Sequence, residues 1–339
     1  MAVPAELIAH YWAPIKPLLE QPVMSDIRIN RFDQVWVRDG DGLHATDCRW
    51  PSQAEFANAL MHLARTTGKE LSEKTPSLDA MLPDGSRVNA AIPPRARYAQ
   101  ATIRVLRTQH IDLNQLAGRM IAQPMMQVVR AALAARLNII ISGETSSGKT
   151  TVMRALLREC GVGEAIFIIE DTAELGVDLP CAIYHETPFD WETQTDPSVD
   201  SIYSALRSAP DRVFVGEIRR SSQLAAYLRV LSTGFRGCMT SLHATPGQGV
   251  IDRGEEMLME RISFADPAGY RRMMLNHVDL LIHCSSRHHP AGERRVSHIH
   301  WIDHHTRDLL ELQRLERGRV VAVNAALDAF VKHIDTLTY

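Results

Sequence analysis

Eight residues, Gly143-Glu-Thr-Ser-Ser-Gly-Lys-Thr150, have the types and spacing to hold a polyphosphate. They spell G-x-x-x-x-G-K-[ST], the phosphate-binding loop pattern. Gly143 and Gly148 carry no Cβ, so the backbone can turn tightly and approach phosphate oxygens. The N–H groups of Glu144, Thr145, Ser146 and Ser147 complete a cradle for an anion. Thr151 continues into a helix whose N-terminus adds favourable dipole. Lys149 is expected to reach the β- and γ-phosphates, and the Thr150 hydroxyl to ligate Mg²⁺. A chance match is the rival reading, and the flanks argue against it. Asn138-Ile-Ile-Ile-Ser142 before the loop suits a buried strand, and Thr151-Val-Met-Arg-Ala-Leu-Leu-Arg158 after it suits an amphipathic helix.

Hydrolysis of a triphosphate needs little covalent chemistry from the protein. It needs a placed cation, a positioned water and charge on the transferred group. In open α/β sheets these groups come from the carboxyl ends of strands. The apolar run 165–169 ends in Glu170-Asp-Thr-Ala-Glu174, the run 212–216 ends in Glu217-Ile-Arg219, and the strand-like stretch 237–243 ends in His243. Glu217 is expected to act on Mg²⁺ or on the attacking water, and Glu170 is the other candidate for polarising water. For either acid alone a helix cap or a solvated strand end is the rival. His243 has three readings: sensing the γ-phosphate, bonding across to Glu217, or a satisfied structural histidine. Seven further histidines lie at 283, 288, 289, 298, 300, 304 and 305; their spacings fit no standard zinc pattern, although His298 and His300 are expected on one strand face.

The elements that must position these groups fall into two blocks. Residues 1–108 read as an α+β domain. An amphipathic helix spans 5–20, interrupted by Pro14 and Pro17; a hairpin pairs 26–30 with 34–38; a helix over 52–67 carries Ser52 as N-cap with Glu55 at the capping-box position; 82–89 is a turn between strands; and 101–106 closes the sheet. Residues 109–123 read as a linker. From 124 to 339 apolar strands alternate with helices over 125–137, 199–208, 221–231, 249–261 and 267–276, which points to a parallel α/β sheet. The chain of 339 residues has a formal charge of −3, with no basic stripe of the kind that recruits nucleic acid. It shows no secretory signal and no apolar stretch near the roughly 20 residues of a membrane span. Its five cysteines form no C-x-x-C pair and read as reduced thiols of a cytosolic protein.

Taken together these boxes resemble the traffic ATPases of bacterial type IV secretion and conjugation, kin to the type II secretion and pilus motors. The phosphate loop is 143–150. The family's aspartate box resembles 169–175, its degenerate Walker B resembles 210–219 with Glu217 at the acidic position, and its histidine box resembles 232–244. Ile27-Arg-Ile-Asn30, Val35-Trp-Val37, 82–87 and Ile103-Arg104 match the N-terminal half. The resemblance implies a C-terminal RecA-like motor, an N-terminal domain that closes over ATP, a ring of six copies, and docking against secretion-machine components at the cytoplasmic face of the inner membrane. It implies that Arg87 and Arg104 bear on the phosphates, and that Arg207 and Arg219 serve around the second acidic box. Two departures stand out. Phe235 replaces a usual histidine, whose role is lost or moved to Arg236, and the chain after 285 matches no motif. A pilus or type II secretion motor, an ATP-assembled scaffold with little turnover, and a nucleic-acid translocase are the alternatives.

Overall fold

The computed structural model describes residues 10–21, 24–39, 42–82, 85–105, 111–172, 174–187, 196–259, 267–286 and 293–337. The chain divides into two compact units, Met1–Gln109 and His110–Tyr339.

The first unit is a six-stranded antiparallel sheet with helices on one face. Its elements are β1 (Asp26–Arg31), β2 (Gln34–Asp39), β3 (Gly42–Ala45), α1 (Gln53–Thr66), β4 (Ser77–Met81), β5 (Arg87–Ala91) and β6 (Gln100–Arg104), with sheet order β3-β2-β1-β6-β5-β4. Alternation decides the faces. Ile27, Ile29, Val35, Val37, Val88, Ala90, Ala101 and Ile103 point into one core with Phe56, Leu60 and Leu63 of α1. Burying each of the larger side chains stabilises the unit by about 1.5–3 kcal/mol. The Ser52 hydroxyl caps α1 by accepting the Glu55 N–H at 3.2 Å. The expected helix over 5–20 is broken in its described part into a 3₁₀ turn, Ala13–Ile15, and one helical turn, Lys16–Leu19. Pro14 and Pro17 each lie in the opening of a turn, where a missing N–H costs nothing. Residues 5–9 lie outside the described residues.

Among the described residues the second unit carries a sheet of nine strands. In chain order the elements are α2 (Leu113–Leu116), α3 (Gln123–Ala134), β7 (Ile139–Gly143), α4 (Lys149–Glu159), β8 (Ile166–Glu170), β9 (Ala182–Glu186), α5 (Pro197–Ser208), β10 (Arg212–Val215), α6 (Ser221–Ser232), β11 (Met239–Leu242), α7 (Gln248–Met259), α8 (Pro267–His277), β12 (Leu280–Ser285), β13 (Arg295–Asp303), β14 (Asp308–Glu316), β15 (Arg319–Ala322) and α9 (Asn324–Leu337). The sheet order is β15-β14-β13-β12-β7-β11-β10-β8-β9. One apolar layer joins Ile139, Ile141 and Ile282 to α3 and α4; the other joins Ile140, Phe167 and Leu281 to α5, α6, α7 and α8.

The sheet is mixed, not parallel throughout. β12, β7, β11, β10, β8 and β9 run parallel, whereas β13, β14 and β15 continue from β12 as an antiparallel meander. The turns at 304–307 and 317–318 are too short for a crossover, so they can join only antiparallel neighbours. Arg307, Arg317 and Gly318 take positive φ there. Within the stretch 109–123, read from the sequence as a linker, α2 packs Leu113 and Leu116 into the core under an Asp112–Gln115 capping box.

Candidate nucleotide site

The phosphate loop leaves the carboxyl end of β7 and enters α4 at Lys149. Both of its glycines are required. Gly143 has φ +148°, and a Cβ there would overlap the Cys284 carbonyl oxygen of β12; Gly148 has φ +97°, and a Cβ there would overlap the Met120 side chain. Ser146 also takes a left-handed conformation, φ 63°, within the same turn. The Ser147 hydroxyl is buried inside the loop with no hydrogen-bond partner among the described residues. Glu144 fastens the loop sideways. It accepts the Ser286 N–H at 2.8 Å and the hydroxyls of Ser285 and Ser286 at 3.2 and 3.3 Å. Burial raises the Glu144 pKa, but those donors outweigh it and hold the carboxyl at about 2. Thr145 and Thr151 lie in the loop and the first turn of α4.

From Lys149 a chain of polar contacts crosses the carboxyl ends of four strands. Lys149 Nζ lies 3.1 Å from the Gly143 and Glu144 carbonyls and 3.2 Å from His243 Nδ1, just past β11. His243 Nε2 pairs with Glu217 Oε1 at 2.8 Å, past β10. Glu217 Oε2 accepts from Arg219 Nη2 at 2.8 Å, and Arg219 Nη1 pairs with Asp171, past β8. Burial works against the Glu217 charge, yet His243 and Arg219 hold this carboxyl at about 2, a firm anion at neutral pH. His243 Nδ1 is also 3.1 Å from the Gly143 carbonyl, so the histidine can accept from Lys149 or, when protonated, donate to the loop.

Glu170 is the opposite case. Burial at the end of β8 raises its pKa to about 7, although it accepts the N–H groups of Leu175 and Glu174 at 2.9 and 3.0 Å. Those bonds fold the acidic box back over the strand. They bring Glu174 to Thr150, whose hydroxyl lies 3.5 Å from Glu174 Oε2. Buried Arg154 of α4 supports this turn by donating to the Glu174 carbonyl. Thr150 and Glu174 form a small hard-oxygen set suited to a Mg²⁺ ion that keeps waters and phosphate oxygens as its other ligands. Glu174 thus stands with Glu217 as a second candidate acid for that ion. Sequence reasoning places Glu174 inside the acidic box without giving it a role; its signal is its position, four residues after a strand-ending acid.

Within the second unit, Arg207 and Arg236 are not brought here. Arg207 ends α5 at the amino side of β10, the far end of the sheet, where its guanidinium donates to Ser204 Oγ at 2.9 Å. Arg236 also lies at that far end, 3.3 Å from buried Asp279, so it does not take over a phosphate role from Phe235. Nearby, a cavity of about 310 Å³ is lined by Arg130, Arg136, Arg212, Glu159 and Glu164, whose charges pair with one another. Arg87 and Arg104 belong to the first unit, where they are paired neighbours on β5 and β6; Arg104 Nε lies 3.8 Å from Asp26. The rings of His298 and His300 stack on one face of β13 at 6.0 Å, and His283 bonds Ser142 at 2.9 Å. Among the described residues no group of three His, Cys, Asp or Glu side chains could hold a metal; His288 and His289 lie outside them.

The sequence model of the family described as "Type II/IV secretion system protein" matches residues 9–300. A Mycobacterium tuberculosis protein provisionally named for conjugal transfer is 29% identical over 295 residues, covering 84% of this chain and 82% of its own. The type IV secretion system protein VirB11 of Brucella melitensis is 25% identical over 344 residues, covering 90% and 92%. Among solved structures, the Legionella pneumophila ATPase DotB superposes with a TM-score of 0.61 at 18% identity, over 89% of this chain and 81% of that one. That likeness speaks to the fold alone.

Proposed function

Because the chain belongs to the Type II/IV secretion system protein family, we propose that it is an ATPase of a type IV secretion or conjugation machine. The observation that carries this reading is the unbroken line Lys149–His243–Glu217–Arg219–Asp171, which ties the phosphate loop to three other strand ends. A change of charge at the loop is felt at once by acids on β8 and β10.

The residues divide the work as follows. The loop N–H groups and Lys149 hold the β- and γ-phosphates of ATP. Thr150 and Glu174, with Glu217 nearby, would hold Mg²⁺, which would supply positive charge for the phosphates. Glu217, fixed as an anion, orients His243 and Arg219 toward the γ-phosphate. Glu170, with its pKa about 7, is poised to accept a proton from the attacking water. Loss of the γ-phosphate returns Lys149 to His243 and the loop carbonyls, resetting the line.

The finer parts rest on the resemblance. The second unit, whose stretch 124–339 carries the alternating strands and helices, is a RecA-like motor, and the first unit is its N-terminal domain. Arg87 and Arg104 bear on the γ-phosphate, six copies assemble as a ring, and the ring docks peripherally on inner-membrane components of the machine. Glu217→Gln tests the core of this reading. It keeps the shape but loses the charge that holds His243 and Arg219, so phosphate release is expected to fall roughly 100-fold or more, while ATP still binds. Turnover at the unmodified rate would remove Glu217 from the mechanism.

A further inference from the structure

The sides of the phosphate loop are unequal. Lys149 faces His243 beside β11, Thr150 faces Glu174 beyond β8, and the reacting acids all stand on the β11–β10–β8 side of β7. A nucleotide whose γ-phosphate lies among those acids must lead its nucleoside away over the other side, toward β12 and β13. Two side chains wait there against Gly148. Met120 packs so closely on it that no Cβ would fit, and the Arg294 Cδ lies 3.6 Å from where that Cβ would stand.

This pair is held in place. The Met120 carbonyl accepts the Val296 N–H at 2.8 Å, the Met120 N–H donates to Leu116 at 2.9 Å, and Arg295 Nη1 donates to the Gly118 carbonyl at 2.8 Å. The turn before α3 and the start of β13 therefore move as one piece beside the loop. Met120 is buried and Arg294 is exposed. A polarisable thioether and a planar guanidinium are side chains that favour the face of an aromatic ring. The phosphates need neither, since their cations and N–H groups are on the loop itself.

We infer that Arg294, backed by Met120, is the contact for the nucleobase of the bound nucleotide, an inference that rests on the loop binding ATP. Arg294 then sets affinity for a nucleotide over a bare polyphosphate.

Calorimetric titration of the full chain with ATP and with inorganic tripolyphosphate tests this. Arg294→Ala is expected to weaken ATP roughly tenfold and to leave tripolyphosphate within about twofold. Arg294→Lys, which keeps the charge but loses the plane, is expected to behave like the alanine variant toward ATP. Equal weakening of both ligands would make Arg294 a phosphate contact and overturn the inference, as would unchanged ATP affinity in Arg294→Ala. Lys149→Ala is the control for the phosphate arm and should weaken both ligands. If the unmodified chain binds neither ligand, the nucleotide reading itself fails; if it binds both and the Arg294 variants do not separate them, only the nucleobase assignment fails.

Discussion

At the scale of single residues, two glutamates of the same site are driven in opposite directions. Glu217 is held at about 2 and Glu170 is raised to about 7. Environments that push two acids apart assign them different tasks. The sign of the Glu170 effect can be checked through stability. A folded pKa above the unfolded value near 4.5 contributes stability that is full below about pH 4.5 and is lost as pH rises through 7. Glu170→Gln has no charge to bury. Its stability relative to the unmodified chain should therefore rise by on the order of 2–3 kcal/mol between pH 4.5 and pH 8, read by chemical denaturation at both values; a gap that stays flat with pH would mean Glu170 is not raised. Turnover of the same variant should fall by roughly 100-fold or more. Most of this site is legible in the amino-acid sequence, because strand-ending polar residues beside a phosphate loop have few other reasons to cluster. Glu174 is not, since its approach to Thr150 depends on the turn that Glu170 caps. Arg207 and Arg236 mislead for a related reason: proximity in sequence to a box says nothing about which end of the strand a side chain occupies.

At the scale of elements, the far end of the sheet is locked by one buried carboxylate. Asp279 accepts the Asn138 N–H at 2.6 Å and pairs with Arg236 at 3.3 Å and with His304 Nε2 at 2.7 Å. The other His304 nitrogen meets the Leu275 carbonyl at 2.9 Å. With both nitrogens donating, the imidazolium is favoured, and the bond from Asp279 raises the His304 pKa above 6.5 against the pull of burial. The contribution is thus complete below about pH 6.5 and lost as pH climbs through the raised value. His304→Gln should flatten the fall in stability on the alkaline side, with no flattening expected if His304 is neutral throughout. Asp279→Ala leaves Arg236, the His304 imidazolium and the Asn138 N–H without their shared partner and should cost about 3–5 kcal/mol. The helices around this lock and the buried parallel strands β7, β8, β10, β11 and β12 follow from apolar periodicity and are readable in order, whereas the parallel edge strand β9, with no fully buried residue, is not. The antiparallel meander is readable only as polar hairpins, and α9 escapes the sequence reading. Leu327, Phe330 and Ile334 repeat at helical spacing, and Phe330 packs on Trp301 of β13 at 5.8 Å, but a short amphipathic helix at the end of a chain carries a weak local signal.

At the scale of the whole molecule, the proposed function divides the nucleotide chemistry between the two units. The second holds the loop, the acids and the polar line between them. The first offers Arg87 and Arg104 side by side on a sheet whose other face is fully occupied by its own core. Arg104→Ala is expected to weaken ATP more than ADP, and equal effects on the two would argue against a γ-phosphate role. No helix of the described residues is long and apolar enough to cross a membrane. Everything proposed for the assembly depends on turnover at the loop 143–150. Phosphate release from ATP with Mg²⁺, compared between the unmodified chain and Lys149→Ala, is the most direct test. The account predicts steady release by the first and a loss of at least about 100-fold in the second. Equal release by both, or none by either, would contradict it.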